Sequence, residues 1–88
     1  MTIKINHGHA GIMTLKDGTT LNFGVIRITR NNRKLVFYTG KGLREMFKPD
    51  MTEEEKIKAE VLKKLDEKTL IRMEYISEVS LANIQSLN

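Results

Sequence analysis

Four of the eight residues from Arg27 to Lys34 are cationic and two are asparagine. Guanidinium and ammonium groups meet phosphate oxygens, and asparagine can read base edges. Phe37 and Tyr38 follow in a stretch of extended character, so they face opposite sides and one points outward. An outward ring beside arginines suits the stacking of an unpaired base. Lys41 stands between Gly40 and Gly42, just before Leu43 and Arg44. Backbone amides and an ammonium there could surround a phosphate, although the spacing is not that of the GxxxxGK[ST] loop. These residues define an expected nucleic-acid-binding set: Arg27, Arg30, Asn31, Asn32, Arg33, Lys34, Tyr38, Lys41 and Arg44. The plainer alternative is a hairpin tip kept polar for solvation.

Other chemistries find less support. His7 and His9 are two apart, which on a strand points both imidazoles the same way, as a shared metal would need. No carboxylate lies nearby to complete the set, so no metal site is expected. Glu53, Glu54 and Glu55 imitate an acid/base cluster. At the start of an amphipathic helix they answer the helix dipole instead. The chain has no cysteine, and no serine stands in a nucleophile-elbow context. Neither an enzyme nor a cofactor is expected.

The formal charge of +4 is unevenly spread. Residues 1–50 carry nine Lys/Arg against three Asp/Glu, and residues 51–88 carry six against eight. That split of +6 against −2 suggests a cationic face for an anionic partner. Eighty-eight residues make a single domain, 1–88. Its core must rest on apolar packing, because neither disulfides nor cysteine-based zinc sites are available. The longest clean apolar run, residues 35–38, is far short of the roughly 20 residues of a membrane span. No signal-peptide pattern opens the sequence. A cytoplasmic protein without a membrane partner is the expectation.

The elements that would position these residues can be read from periodicity. Ile3 and Ile5 alternate with polar neighbours as a short strand, and residues 7–11 form a turn. Residues 12–15, 21–29 and 34–39 read as three strands, joined through Asp17-Gly18 and through residues 30–33. In the middle strand Leu21, Phe23 and Val25 share one face, whereas Ile26 and Ile28 share the other. A β-bulge at Gly24 would explain the slip. Leu43, Met46 and Phe47 suggest one helical turn, stopped by Pro49. Thr52 and Glu55 match a capping box that opens a helix over residues 51–68. Ile57, Val61, Leu62 and Leu65 form its apolar face, with Glu54–Lys58 and Glu60–Lys64 as supporting pairs. Ile71, Met73 and Tyr75 alternate as a strand, and the pattern beyond residue 76 fits strand or helix equally.

The expected fold is α+β: a small curved antiparallel sheet of four to five strands, a meander or partly open barrel, with one long amphipathic helix. Leu15-Lys16-Asp17-Gly18 running into Leu21, Gly24, Val25 and Ile26 resembles the hairpin of Sm-like small barrels. That likeness covers under a fifth of the chain. The glycine falls later here, and the long helix follows the strands rather than preceding them, so no family is assigned from it. The expected function is a small, basic, regulatory binding module for RNA or single-stranded DNA. The alternative is a protein-binding adaptor or inhibitor that uses a sheet edge or the helix face, with self-association into a homodimer as a further way to cover an edge.

Overall fold

The structure is a computed structural model and describes residues 9–88. The expected strand at Ile3 and Ile5, and His7 of the histidine pair, lie outside the described residues. Three strands come first: β1 (Ala10–Leu15), β2 (Thr20–Ile28) and β3 (Lys34–Tyr38). Three helices follow, α1 (Gly40–Met46), α2 (Glu53–Lys63) and α3 (Glu67–Arg72). The chain closes with β4 (Ile76–Ser80), a 3₁₀ turn (Leu81–Asn83) and β5 (Ile84–Leu87). All pairings are antiparallel, and the sheet order is β4-β3-β2-β1-β5. The architecture is therefore an α+β fold on an open, curved five-stranded sheet.

Each face of that sheet carries its own buried cluster. One carries Met13, Phe23, Val25, Leu35, Phe37 and Ile84, with Val79, Leu81 and Leu87 of the last segment packed against them. The other carries Val36 and Ile76 under Met46, Leu62, Leu70 and Tyr75 from the helical side. Between Val25 and Arg27 the register with β3 shifts, for Val25 pairs with Phe37 and Arg27 with Val36. This is the bulge suggested by the apolar slip, placed two residues past Gly24. It also corrects the faces. Ile28 rejoins Phe23 and Val25 in the first core, and of the two isoleucines only Ile26 lies on the helical side.

The 3₁₀ turn reveals how strongly the sheet coils. Leu81 N donates to Arg33 O (2.8 Å) in the β2–β3 turn, and Lys16 N donates to Asn83 O (2.8 Å) in the β1–β2 turn. Those two turns sit at opposite ends of β2, so three residues span diagonal corners of the sheet. Only a coiled sheet brings such corners together.

The helical segment departs from expectation. Thr52 caps α2 as read: its hydroxyl accepts from Glu55 N (3.2 Å), and Glu55 Oε1 accepts from Thr52 N (3.1 Å). The Thr52 amide, helped by Lys48 at 3.0 Å, holds the Glu55 carboxyl below its ordinary value. However, α2 ends at Lys63, and a new helix starts where Asp66 accepts from Thr69 N (2.8 Å). One long helix over residues 51–68 is thus two shorter ones. The break lets Leu62, Leu65 and Leu70 all reach the same core. Ala59 and Leu62 face inward, while Ile57 (65% exposed) and Val61 (57%) point to solvent. The side-chain pairs formed on this helix are Glu53–Lys56 and Glu60–Lys63 rather than the two expected ones.

Residues 71–75 are not a strand. They end α3 in a Schellman turn, with Glu74 N donating to Ile71 O and Tyr75 N to Leu70 O. Glu74 takes the left-handed position, φ 67°, that glycine usually fills. Gly42 of α1 packs directly on the Tyr75 carbonyl, where a Cβ would collide with the oxygen. Thr39 ties the two together, its hydroxyl donating to Glu74 O (2.7 Å) and accepting from Gly42 N (3.1 Å).

Two stability outcomes follow. Thr52→Ala removes one half of the capping box and lowers stability by about 1 kcal/mol, within a range of about 0.5–2. Glu74→Gly relieves the left-handed strain and raises stability by up to about 1 kcal/mol, since the same backbone costs a side-chain-bearing residue roughly that much. Urea melts read both as shifts of midpoint at constant slope. An unmoved midpoint for Thr52→Ala would refute the assigned helix start.

Candidate nucleic-acid interface

The β2–β3 turn is held in shape by hydrogen bonds from its own side chains. Asn31 Oδ1 accepts from the Thr29 hydroxyl (2.7 Å) and from Arg33 N (3.2 Å). Lys34 N donates to Thr29 Oγ1 (3.1 Å), and Asn32 N donates to Thr29 O (2.8 Å). Asn32 occupies the left-handed region at φ 57°, which asparagine tolerates better than most residues. Both asparagines therefore serve the turn, and Asn31 has spent its acceptor there. Arg30 and Arg33 flank them, exposed, and neither forms an ion pair or a side-chain hydrogen bond among the described residues.

The rest of the expected set is dispersed. The bulge sends Arg27 to the helical side, where Nε (3.1 Å) and Nη2 (2.7 Å) grip the two carboxylate oxygens of Glu67. That fork holds the Glu67 carboxyl below its ordinary value. Lys34 meets Glu78 at 3.7 Å, and Glu78 also acts on Arg27. Two cations and two carboxylates thus neutralise one another on this side. Together with Lys48–Glu55, these contacts spend three first-half cations on carboxylates from the second half. The charge asymmetry read along the chain is partly cancelled by folding.

The expected aromatic platform is absent from the hairpin. Phe37 is 4% exposed inside the first core. Tyr38 lies at the far end of β3, its ring edge-on to Phe47 at 4.8 Å, and burial raises its hydroxyl pKa. The Lys63 ammonium sits over the Phe47 ring at 4.8 Å. These side chains, with Ala10, Gly24 and Leu43, line an apolar groove of about 480 Å³. Lys41 and Arg44 are also at that far end of the sheet, separated from the arginine turn by the length of β3, roughly 16 Å for five residues. Lys41 donates to Met73 O (3.1 Å) and lies over the Tyr75 ring. His9 stacks on Phe23 with ring centroids 5.5 Å apart. Among the described residues no group of three or more His, Cys, Asp or Glu could hold a metal.

One cation absent from the expected set approaches the tip from the β1–β2 turn. The 3₁₀ turn is bonded to Arg33 at one end and to Lys16 at the other. At about 2 Å per residue, it puts the two backbones roughly 10 Å apart. Lys16 is exposed and carries no ion pair among the described residues. Seventeen residues separate it from Arg33 in sequence, and only the coiling of the sheet reveals the neighbourhood.

Comparison with family models, curated proteins and solved structures yields no significant match. No described helix is long and apolar enough to cross a membrane.

The Arg27–Glu67 fork makes a pH prediction. A carboxyl depressed in the folded state contributes stability above its unfolded value, near 4.5, and loses it as pH falls through the lower folded value. Glu67→Gln should therefore lower stability at pH 7 and flatten the decline below pH 4.5. Thermal melts from pH 7 to pH 3 measure it, and an unchanged acid limb would show that the fork contributes nothing to folding.

Proposed function

We propose that this protein is a non-enzymatic module that binds nucleic acid through the β2–β3 turn, with Arg30, Arg33 and Lys16 as its phosphate contacts. The observation that carries this reading is the partition of the cations. Arg27, Lys34 and Lys48 are matched by carboxylates, whereas Arg30 and Arg33 stand unmatched on a turn whose shape is fixed internally. An unpaired, exposed guanidinium gives up no ion pair when it meets a phosphate, and its planar fork matches two phosphate oxygens. No described aromatic stands beside them, so contact with the backbone is favoured over base stacking. A preference for single strands has no support in this arrangement.

Three phosphate contacts imply that log affinity falls with log salt at a slope of about −2 to −3. Fluorescence anisotropy with short RNA and DNA strands at low salt tests this. Reversing Arg30 and Arg33 to glutamate should abolish binding, and Lys16→Glu should weaken it and flatten the slope by about one. Arg27→Gln should matter little. An absence of binding at tens of micromolar removes the proposal.

A second reading, a protein-binding module, is supported by the Tyr38–Phe47 groove and by the outward Ile57 and Val61 of α2. Exposed apolar groups of this kind mark contact surfaces when they are contiguous. Pull-downs with and without nuclease treatment separate the two readings. Partners that survive nuclease and are lost on Phe47→Ala favour the second.

A further inference from the structure

We infer that the cleft at the far end of the sheet, between the start of β2 and the start of α1, is a binding site for a phosphate group. It shares no residue with the arginine turn and stands or falls independently of it. The cleft is about 380 Å³ and is lined by Thr20 and Asn22 from β2, Ser77 from β4, and Lys41 and Arg44 from α1, over a floor that includes Phe37. It exists because the two central strands are unequal. β3 pairs with β2 only as far as Gly24, opposite Tyr38, so residues 20–23 run on beside α1 without it.

The charged groups of the lining are donors only, and its neutral groups, hydroxyls and one amide, can each turn a donor toward an anion. Arg44 makes no ion pair or side-chain hydrogen bond among the described residues, so its five donors are unspent. The lack of a side chain at Gly40 gives it room, since a Cβ there would stand 3.2 Å from Nη1. Lys41 is positioned by Met73 O and the Tyr75 ring and retains two further donors. The side chains of Thr20, Asn22 and Ser77 have no hydrogen-bond partner among the described residues. Thr39 is already satisfied by Glu74 O and Gly42 N. No carboxylate lines the space. Two cations, three neutral groups able to donate and no carboxylate in one cleft suit a group with several acceptor oxygens and a double charge, which is a phosphate monoester. A monoester loses its second proton near pH 6, so binding should tighten between pH 5 and pH 7.

The test is a ¹H–¹⁵N NMR titration at constant ionic strength with three probes: inorganic phosphate, a ribonucleoside 5′-monophosphate and acetate. Saturable shifts are expected for both phosphate probes, confined to Thr20, Asn22, Lys41, Arg44 and Ser77, with acetate at least tenfold weaker. Arg44→Gln should weaken phosphate binding about tenfold, whereas Arg30→Gln with Arg33→Gln should leave it unchanged. Lys41 also supports the α3–β4 turn, so Arg44→Gln is the deciding variant, its melting temperature checked alongside. Non-saturating shifts spread over every cation overturn the inference. So do acetate binding as tight as phosphate, nucleotide binding without phosphate binding, and an undiminished affinity in Arg44→Gln.

Discussion

Over the step from Val25 to Arg27, β2 advances two residues while β3 advances one. A strand that does this changes which side chains face inward and bends more sharply than its neighbours. Without the extra residue, strict alternation would put Arg27 beside Phe23 and Val25 in the first core. A buried, unpaired guanidinium there would cost several kcal/mol by any reasonable account. With it, Ile28 takes the inward place and Arg27 emerges opposite Glu67. The same step adds to the coiling that brings the β1–β2 and β2–β3 turns within reach of a single 3₁₀ turn. Core composition, the ion-pair cluster and the approach of Lys16 to Arg33 thus share one origin.

Two close approaches then lock the outer elements to the curved sheet. Gly11 passes so near the Asn88 carbonyl that no Cβ would fit, and Ile12 exchanges backbone hydrogen bonds with Asn88 at 3.0 and 2.9 Å. Gly42 does the same for α1 against Tyr75. The helices depend on that second contact. α1 is only two turns long, too short to persist alone, and its capping threonine is also the group that binds the end of α3. The position of Lys41 and Arg44 is therefore set by a backbone contact with the α3–β4 turn, far from them in sequence.

The contrast between these contacts and the local signals explains what could be read from the chain. Thr52 with Glu55, Asp17-Gly18 and the apolar slip after Gly24 are all encoded within a few residues, and the structure contains the cap, the turn and the bulge. The division of residues 51–68 into two helices was harder to see. Lys64-Leu65-Asp66 contains neither glycine nor proline, and the helical period runs across it undisturbed. The clue was Asp66 three residues before Thr69, a cap signal outweighed by the longer pattern. Ile71, Met73 and Tyr75 misled in the same way, because alternation along five residues also fits the end of a helix whose buried positions are Leu70 and Tyr75. For the interface, sequence proximity was the wrong measure. Arg27 and Arg33 look equivalent along the chain, but a carboxylate forty residues downstream claims the first alone.

Folding also decides where the surplus positive charge can act. Arg27 and Lys34 lie on the helical side with Glu67 and Glu78, so the stretch of surface between the two ends of β3 is close to neutral. Among the cations of residues 9–50, those without a carboxylate are Arg30 and Arg33 at the tip, Lys16 across the 3₁₀ turn from it, and Lys41 and Arg44 at the far cleft. A single anionic strand lying along the sheet from one end to the other would pass two carboxylates on the way, and each would repel a phosphate at close range. The Debye length at physiological salt is about 8 Å, half the roughly 16 Å length of β3, so neither cationic end strongly feels the charge at the other. The two ends are therefore separate electrostatically, one an exposed turn and the other a recess beside α1.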